Sequence, residues 1–319
     1  MVEALQQLDN VRLNFSPQSL FIVNLTLAFI MFGVALGIKI DDFKRIFQDP
    51  KPAITGIVSQ FLLLPLVTFV IVIILRNYIT PNIAFGMILV AACPGGNISN
   101  FMSSLAKANT ALSVSLTAFA TLTAIILTPL NFSVWGGLYI KVYTAMDATE
   151  LLRPIKIDAI EMFKTVFILL GIPLIIGMIF SSKFPKLSQK IYKPIQRLSI
   201  LVFSAIVIIS FAKNYDFFVL YIKYIFFFVL IHNAIALSTG YSFASLLKLR
   251  KQDRRAITIE TGIQNSSLGL VLIFNPLIFP NDLATGGMAF IVAWWGIWHI
   301  ISGLTISGIW SSKNLKSNG

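Results

Sequence analysis

Charge is what this chain has least of. Asp, Glu, Lys and Arg make up 12% of its 319 residues, about half the usual share. A soluble domain needs a polar exterior, so the composition does not describe one. There is a single cysteine, Cys93, which excludes an intrachain disulfide and any multi-cysteine metal site. No base accompanies it, which argues against nucleophilic catalysis. Acid-rich metal motifs are missing too, and with them the usual chemistry of lipid-modifying membrane enzymes. Glu3, Asp9 and Arg12 occupy the place where a secretory signal would have a basic start and an apolar core, so no cleavable leader is expected.

What the chain has instead is apolar bulk. Hydrophobic residues reach 56% and mean hydropathy is +0.83. A membrane-spanning helix needs about 20 mostly apolar residues, and about nine such runs can be marked. They lie near 18–38, 53–76, 82–105, 110–136, 160–182, 197–214, 217–246, 256–278 and 284–310. Proline-rich punctuation separates several of them, as in Asp49-Pro50-Lys51-Pro52 and Phe279-Pro280-Asn281-Asp282. The expectation is an all-α integral membrane protein forming one domain over 1–319.

The net charge of +12 could suggest nucleic acid, but the basic residues sit in short loops between apolar runs. Lys39, Lys44, Arg45, Lys51, Lys107, Lys183, Lys186, Lys190, Lys193, Arg197, Lys248, Arg250, Lys251, Arg254, Arg255, Lys313 and Lys316 fall on one set of alternating loops. Only Arg12, Arg76, Lys141, Arg153, Lys156 and Lys213 fall on the other. The positive-inside rule makes the richer side cytoplasmic. A multi-pass protein of the cell (inner) membrane is expected, with its N-terminus outside and its C-terminus inside.

Two polar runs interrupt apolar spans. The first is Cys93-Pro94-Gly95-Gly96-Asn97-Ile98-Ser99-Asn100, where proline removes a backbone donor and glycines weaken the helix. The second is Glu260-Thr261-Gly262-Ile263-Gln264-Asn265-Ser266-Ser267, and Glu260 is the one acid of 13 set inside membrane-grade sequence. A carboxylate at that depth costs at least ~2.5 kcal/mol unless paired, so it is a functional candidate by default. A bland alternative places it at the interface, paired with Arg254 or Arg255. Unwound backbone at depth is tolerated where it lines a cavity, and there freed carbonyls hold cations while half-helix N-termini hold anions. Each run precedes one long span, and the two lie five spans apart, which predicts an inverted repeat of spans 1–4 and 6–9. The alternative for both runs is a helix-packing seam of small and polar residues. Ser113 and Thr117 share a helix face, continued by Thr121. Gln60 and Asn233 interrupt other apolar runs. Carboxylate, amide, hydroxyl and carbonyl oxygens suit a hard cation.

These motifs, with Gln60 ahead of Pro65, Ala111-Leu112-Ser113-Val114-Ser115 and His232-Asn233, resemble the bile acid:sodium symporter family over nearly the whole chain. The resemblance implies two discontinuous helices crossing in a core domain beside a panel domain. The panel would be spans 18–38, 160–182 and 197–214, with the rest as core. It implies two Na+ ions. One would be held by Ser99, Asn100, Ser113, Thr117 and Glu260. The other would be held by Gln60, Glu260, Gln264 and the carbonyls of Thr261 and Ile263. A small organic anion would lie near Asn97, Ile98, Asn265 and Ser266. Asn97-Ile98 replaces the family's usual Thr-Ala, and Ile300 follows Trp298-His299 where bacterial relatives often carry Asn. Bile acids, pantoate-like hydroxy acids and other monocarboxylates therefore stay open.

The function expected is import of an organic anion with sodium by alternating access. The alternative is a proton-coupled exchanger or exporter, with Glu260 as the proton carrier. A channel and an enzyme fit less well. His232 and His299 lack a partnering acid and are read as packing residues. Trp294, Trp295, Trp298 and Trp310 are read as interface markers, and Phe226-Phe227-Phe228 as packing bulk.

Overall fold

A computed structural model describes residues 2–10, 17–96, 98–146, 159–213, 215–280 and 283–316. The regular structure is helical throughout these residues. The chain begins with α1 (Val2–Asp9), α2 (Pro17–Ala35) and α3 (Ile40–Gln48). Next come α4 (Pro50–Val58), a π-helical turn (Ser59–Leu63) and α5 (Leu64–Ile74), continuous as one rod. Then follow α6 (Pro81–Ala92), α7 (Ile98–Leu105) and α8 (Thr110–Met146). A second rod joins α9 (Ala159–Val166), a π turn (Phe167–Gly171) and α10 (Ile172–Lys183). The rest are α11 (Pro185–Lys213), α12 (Tyr215–Leu246), α13 (Lys251–Gly262), α14 (Ser266–Ile273) and α15 (Gly286–Lys316).

Five described helical stretches are long and apolar enough to cross a membrane: Pro50–Ile74, Thr110–Ala145, Ala159–Lys183, Val219–Leu246 and Gly286–Ser312. Asn24–Ala35 and Pro81–Ala92 are shorter apolar helices.

Prolines place both π turns. Pro65 has no N–H, and its ring crowds the carbonyl one turn back. The helix answers by widening, so that Leu64 N–H reaches Ser59 O. Pro173 acts likewise, with Ile172 N–H bonded to Phe167 O. Such widened turns are common at functional sites, and the first carries Gln60.

Several stretches read as loops are helical. The 39–51 segment contains α3, and the basic 183–197 segment begins α11. Short amphipathic helices of this kind are lost between apolar runs when only length and hydropathy are scored. The segment with Lys313 and Lys316, also read as lying outside the spans, continues α15. Residues 2–9, which precede the first expected span, form α1, which packs on α6, α12 and α15 through buried Leu5 and Leu8. Asp9 ends α1 against Thr80, Asn82 and Gly287. Burial there pushes its carboxyl up to about 7, against the opposing hydrogen bonds of Thr80 and Asn82.

The basic segments lie at one end. Arg250 Nη2 meets Asp49 Oδ2 at 3.0 Å, Asn109 N–H donates to Gln252 O at 3.1 Å, and Ser188 Oγ donates to Leu36 O at 3.4 Å. α2 packs against α10 and α11, while α6, α8, α12, α13 and α15 pack around one another. The main core is largely aliphatic with an aromatic seam: Phe85 meets Tyr139 at 5.5 Å and Phe132 meets Phe279 at 6.1 Å between ring centroids. Trp295 is fully buried there, so it is core and not the interface marker its residue type suggests. Phe228 packs on the same core while Phe227 is exposed.

Gly86 lets α6 and α15 approach closely. A Cβ there would lie 3.0 Å from Met288 Cα and 3.1 Å from Met288 O, backbone atoms that cannot rotate away. Gly86→Ala should therefore lower stability by ~1–3 kcal/mol. A melting curve in detergent checks this, and an unchanged midpoint would show that the helices separate freely.

Candidate functional site

Both polar runs are breaks in helices. α6 ends at Ala92, and Cys93 turns extended with φ −69 and ψ 153. α13 ends at Gly262, and Ile263 is extended with φ −111 and ψ 98. The freed backbone groups then pair across the two breaks. Gly96 N–H donates to Ile263 O at 2.7 Å, and Asn265 N–H donates to Pro94 O at 2.8 Å. This is a short antiparallel bridge centred on Gly95 and Gln264. It meets the demand that backbone in an apolar interior be satisfied internally.

Side chains complete the junction. Gln60 Nε2 donates to Cys93 O at 3.1 Å and to Gln264 Oε1 at 2.8 Å. Gln264 Nε2 donates to Thr261 O at 2.7 Å, and the hydroxyls of Ser59 and Thr261 meet at 2.9 Å. Asn233 Nδ2 donates to Gly262 O at 2.8 Å and accepts from Ser302 Oγ at 2.6 Å. Asn233 is thus a fastener for the end of α13. Asn265 caps α14, its Oδ1 accepting from Leu268 N–H at 3.2 Å.

Glu260 lies beside this junction, 2% exposed. Its Oε2 accepts from Ser99 Oγ at 2.7 Å and from Ser113 Oγ at 3.4 Å. Its Oε1 accepts from Thr117 Oγ1 at 2.8 Å. Asn100 Oδ1 stands 2.9 Å from Ser113 Oγ and 3.1 Å from Thr117 Oγ1. Thr117 Oγ1 is also 3.0 Å from Ser113 O and 3.3 Å from Ser99 Oγ. A hydroxyl has one proton to donate, so Thr117 cannot serve all these oxygens at once. The cluster is rich in oxygen and poor in protons, which is the chemistry of a hard-cation site. Thr121, one turn on, is buried but makes no hydrogen bond to Glu260.

The interface alternative for Glu260 is overturned. Among the described residues Glu260 forms no ion pair. Arg255 Nη1 instead donates to Ala106 O at 2.7 Å, and Arg254 Nη1 reaches Ser245 Oγ at 3.5 Å.

The two expected ion sites adjoin. A cavity of about 10 Å3 is lined by Gly56, Gln60, Phe61, Leu116, Phe119 and Glu260 among others. It holds roughly one water-sized sphere. Gln60 Oε1, buried in the same region, has no hydrogen-bond partner. The carbonyls of Thr261 and Ile263 already accept from Gln264 and Gly96. Each keeps a second lone pair.

The expected substrate residues are less united. Asn97 lies outside the described residues. Ile98 packs on Met102, Ala106, Ile259 and Ile263, whereas buried Ser266 faces Gly296 of α15. His232 accepts or donates a 2.8 Å bond with Thr68 Oγ1 and sits edge-on to Trp295.

Apolar helices built around two interrupted, mutually bonded helices and a buried carboxylate are the build of an integral membrane transporter. The chain belongs to the Sodium Bile acid symporter family, whose model matches residues 24–220. It is 33% identical over 313 residues to "Uncharacterized sodium-dependent transporter YocS" of Bacillus subtilis (strain 168), covering 95% of this chain and 89% of that one. It is 29% identical over 278 residues to "Probable sodium/metabolite cotransporter BASS2, chloroplastic" of Oryza sativa subsp. japonica, covering 84% of this chain and 62% of that one. The "P3 protein" of Homo sapiens is 26% identical over 265 residues, 82% of this chain and 52% of that one. The chain therefore spans most of the bacterial relative but only part of the longer plant and human ones.

Proposed function

We propose that the protein is a symporter that couples sodium entry to uptake of a small organic anion, and that it performs no covalent chemistry. The observation that carries this reading is the cluster around Glu260, where a buried carboxylate and an amide oxygen share too few hydroxyl protons. One Na+ would be held by Ser99, Asn100, Ser113, Thr117 and Glu260. A second would be held by Gln60, Glu260, Gln264 and the carbonyls of Thr261 and Ile263. Sharing Glu260 couples the two ions, since the first sets the charge seen by the second. The anion would sit where α7 and α14 start, because helix N-termini favour negative charge. The names of the bacterial and rice relatives, a sodium-dependent transporter and a sodium/metabolite cotransporter, support the same reading.

The wider architecture follows from that reading. Nine spans form an inverted repeat, with α6–α7 and α13–α14 as matching interrupted spans. α2, α9–α10 and α11 form a panel, and the remaining helices form a core that carries the ions. Alternating access would come from motion of core against panel. The N-terminus would lie outside and the basic end in the cytoplasm of the cell membrane.

Proteoliposomes offered a panel of small monocarboxylates in the external buffer, including hydroxy acids and bile acids, test this. Uptake is expected with an inward sodium gradient and is expected to stop when potassium replaces sodium. Uptake driven by a pH gradient without sodium would instead select the proton-coupled alternative.

A further inference from the structure

The helices that supply the Glu260 cluster meet a second time, at their basic ends. α7 turns into α8 through Lys107, whose φ is 51, and α12 turns into α13 through Lys248, whose φ is 54. Asn109 closes the first turn and caps α8, its Oδ1 accepting from Leu112 N–H at 3.1 Å. Its backbone N–H donates to Gln252 O at 3.1 Å. Its Nδ2 donates to Asp253 Oδ1 at 2.7 Å. The other oxygen of Asp253 accepts from Arg250 Nε at 2.8 Å. Asp253 is 1% exposed, although the sequence pattern puts it in a solvated loop. Two residues on, Arg255 donates to Ala106 O at the end of α7.

The spacing joins the two meeting points. Asn109, Ser113 and Thr117 recur every turn along one face of α8. Asp253 and Glu260 are about two turns apart, on one face of α13. The face of α8 that bonds Glu260 through Ser113 and Thr117 therefore bonds Asp253 through Asn109. Leu112 and Leu116 of α8 pack with Ala256 and Ile257 of α13 between the two polar contacts. Apolar packing alone tolerates sliding, whereas a buried carboxylate facing an amide donor allows one register.

We propose that Asn109 and Asp253 are positioning residues for cation binding: their contact sets the height of Glu260 against Ser99, Asn100, Ser113 and Thr117. The inference rests on the sodium-site reading above. It gives the buried Asp253–Asn109 pair a role that the ion sites themselves do not.

The test is a sodium titration of the purified full-length protein, read as thermal stabilisation at constant ionic strength with potassium as the replacing ion. Asp253→Asn sets amide against amide, and Asn109→Asp sets carboxylate against carboxylate. Either is expected to raise the half-saturating sodium concentration about tenfold, the usual cost of losing a residue that orients a metal ligand. Combining the two restores the contact with its polarity reversed. A carboxylate at 109 still caps Leu112 and an amide at 253 still accepts from Arg250, so the titration should return toward the parent's. Asn109→Ser keeps a cap for α8 but removes the amide donor, and its shorter hydroxyl stops short of Asp253 Oδ1. It should fold and show the same shift even where the charge-altering single changes do not. Unchanged half-saturation in Asn109→Ser, or a double variant no better than the singles, would overturn the proposal. A parent protein with no sodium response at all would instead remove the sodium reading itself.

Discussion

Glu260→Gln is expected to abolish the sodium-dependent rise in melting temperature while leaving a folded protein. Glutamine keeps the shape of the side chain, so the contacts with Ser99 and Thr117, at 2.7 and 2.8 Å, lose nothing sterically. What changes is charge and donor balance. A unit charge about 4 Å away is worth about 4 kcal/mol at an effective dielectric of 20, nearly a thousandfold in affinity. The amide also brings protons into a cluster whose fitness for a cation comes from having too few. In sodium-free buffer the variant should melt no lower than the parent, because a buried carboxylate with only hydroxyl partners is costly to desolvate. Calorimetry or fluorescence melting in sodium and in potassium separates the two effects. A variant that keeps the parent's sodium shift would show that the cation binds elsewhere.

Gly95→Ala is expected to damage function nearly as much, by a different route. A Cβ at Gly95 would lie against the carboxylate of Glu260. Gly95 cannot retreat, because its neighbours are pinned by the bonds from Gly96 to Ile263 and from Asn265 to Pro94. Either Glu260 swings out of its oxygen cluster or the bridge between the breaks opens. A misplacement of about 1 Å in a preorganised site can cost a hundredfold. Sodium titration of Gly95→Ala should therefore show half-saturation shifted by about that factor. Gly308→Ala is the matched control, since a Cβ there meets nothing within 4 Å. Its titration should be unchanged, with stability the same or up to ~1 kcal/mol higher from helix propensity. Equal responses from the two glycine variants would mean that the close approach at Gly95 has no bearing on the ion.

The helical membrane class and the two polar runs were legible because each leaves a local mark. Long apolar runs announce spans, and Pro94, Gly95 and Gly96 announce a weak point in one of them. Glu260 stood out for a related reason: every other acid lies in or beside a polar stretch. α1 was not legible, because eight residues with two buried leucines are too short and too polar to stand out among apolar runs. α3 and the start of α11 were hidden among charges that read as loops. Arg254 and Arg255 tempted a pairing with Glu260 by proximity in sequence. The α-helix defeats that reading, since Arg255 is spent on the end of α7 and lies more than a turn from the carboxylate.

Composition and period by themselves determined that this chain is helical, membrane-bound and broken at two polar points, because those properties depend on neighbours along the chain. Tertiary structure alone decided what the broken ends bond to. Gly96 finds Ile263, Gln60 finds Cys93 and Gln264, and Asn109 finds Asp253 across separations of 33 to 204 residues for the side-chain pairs. Such partners are chosen by how helix faces stack and by the need to satisfy every buried polar group, and neither leaves a signal in local sequence.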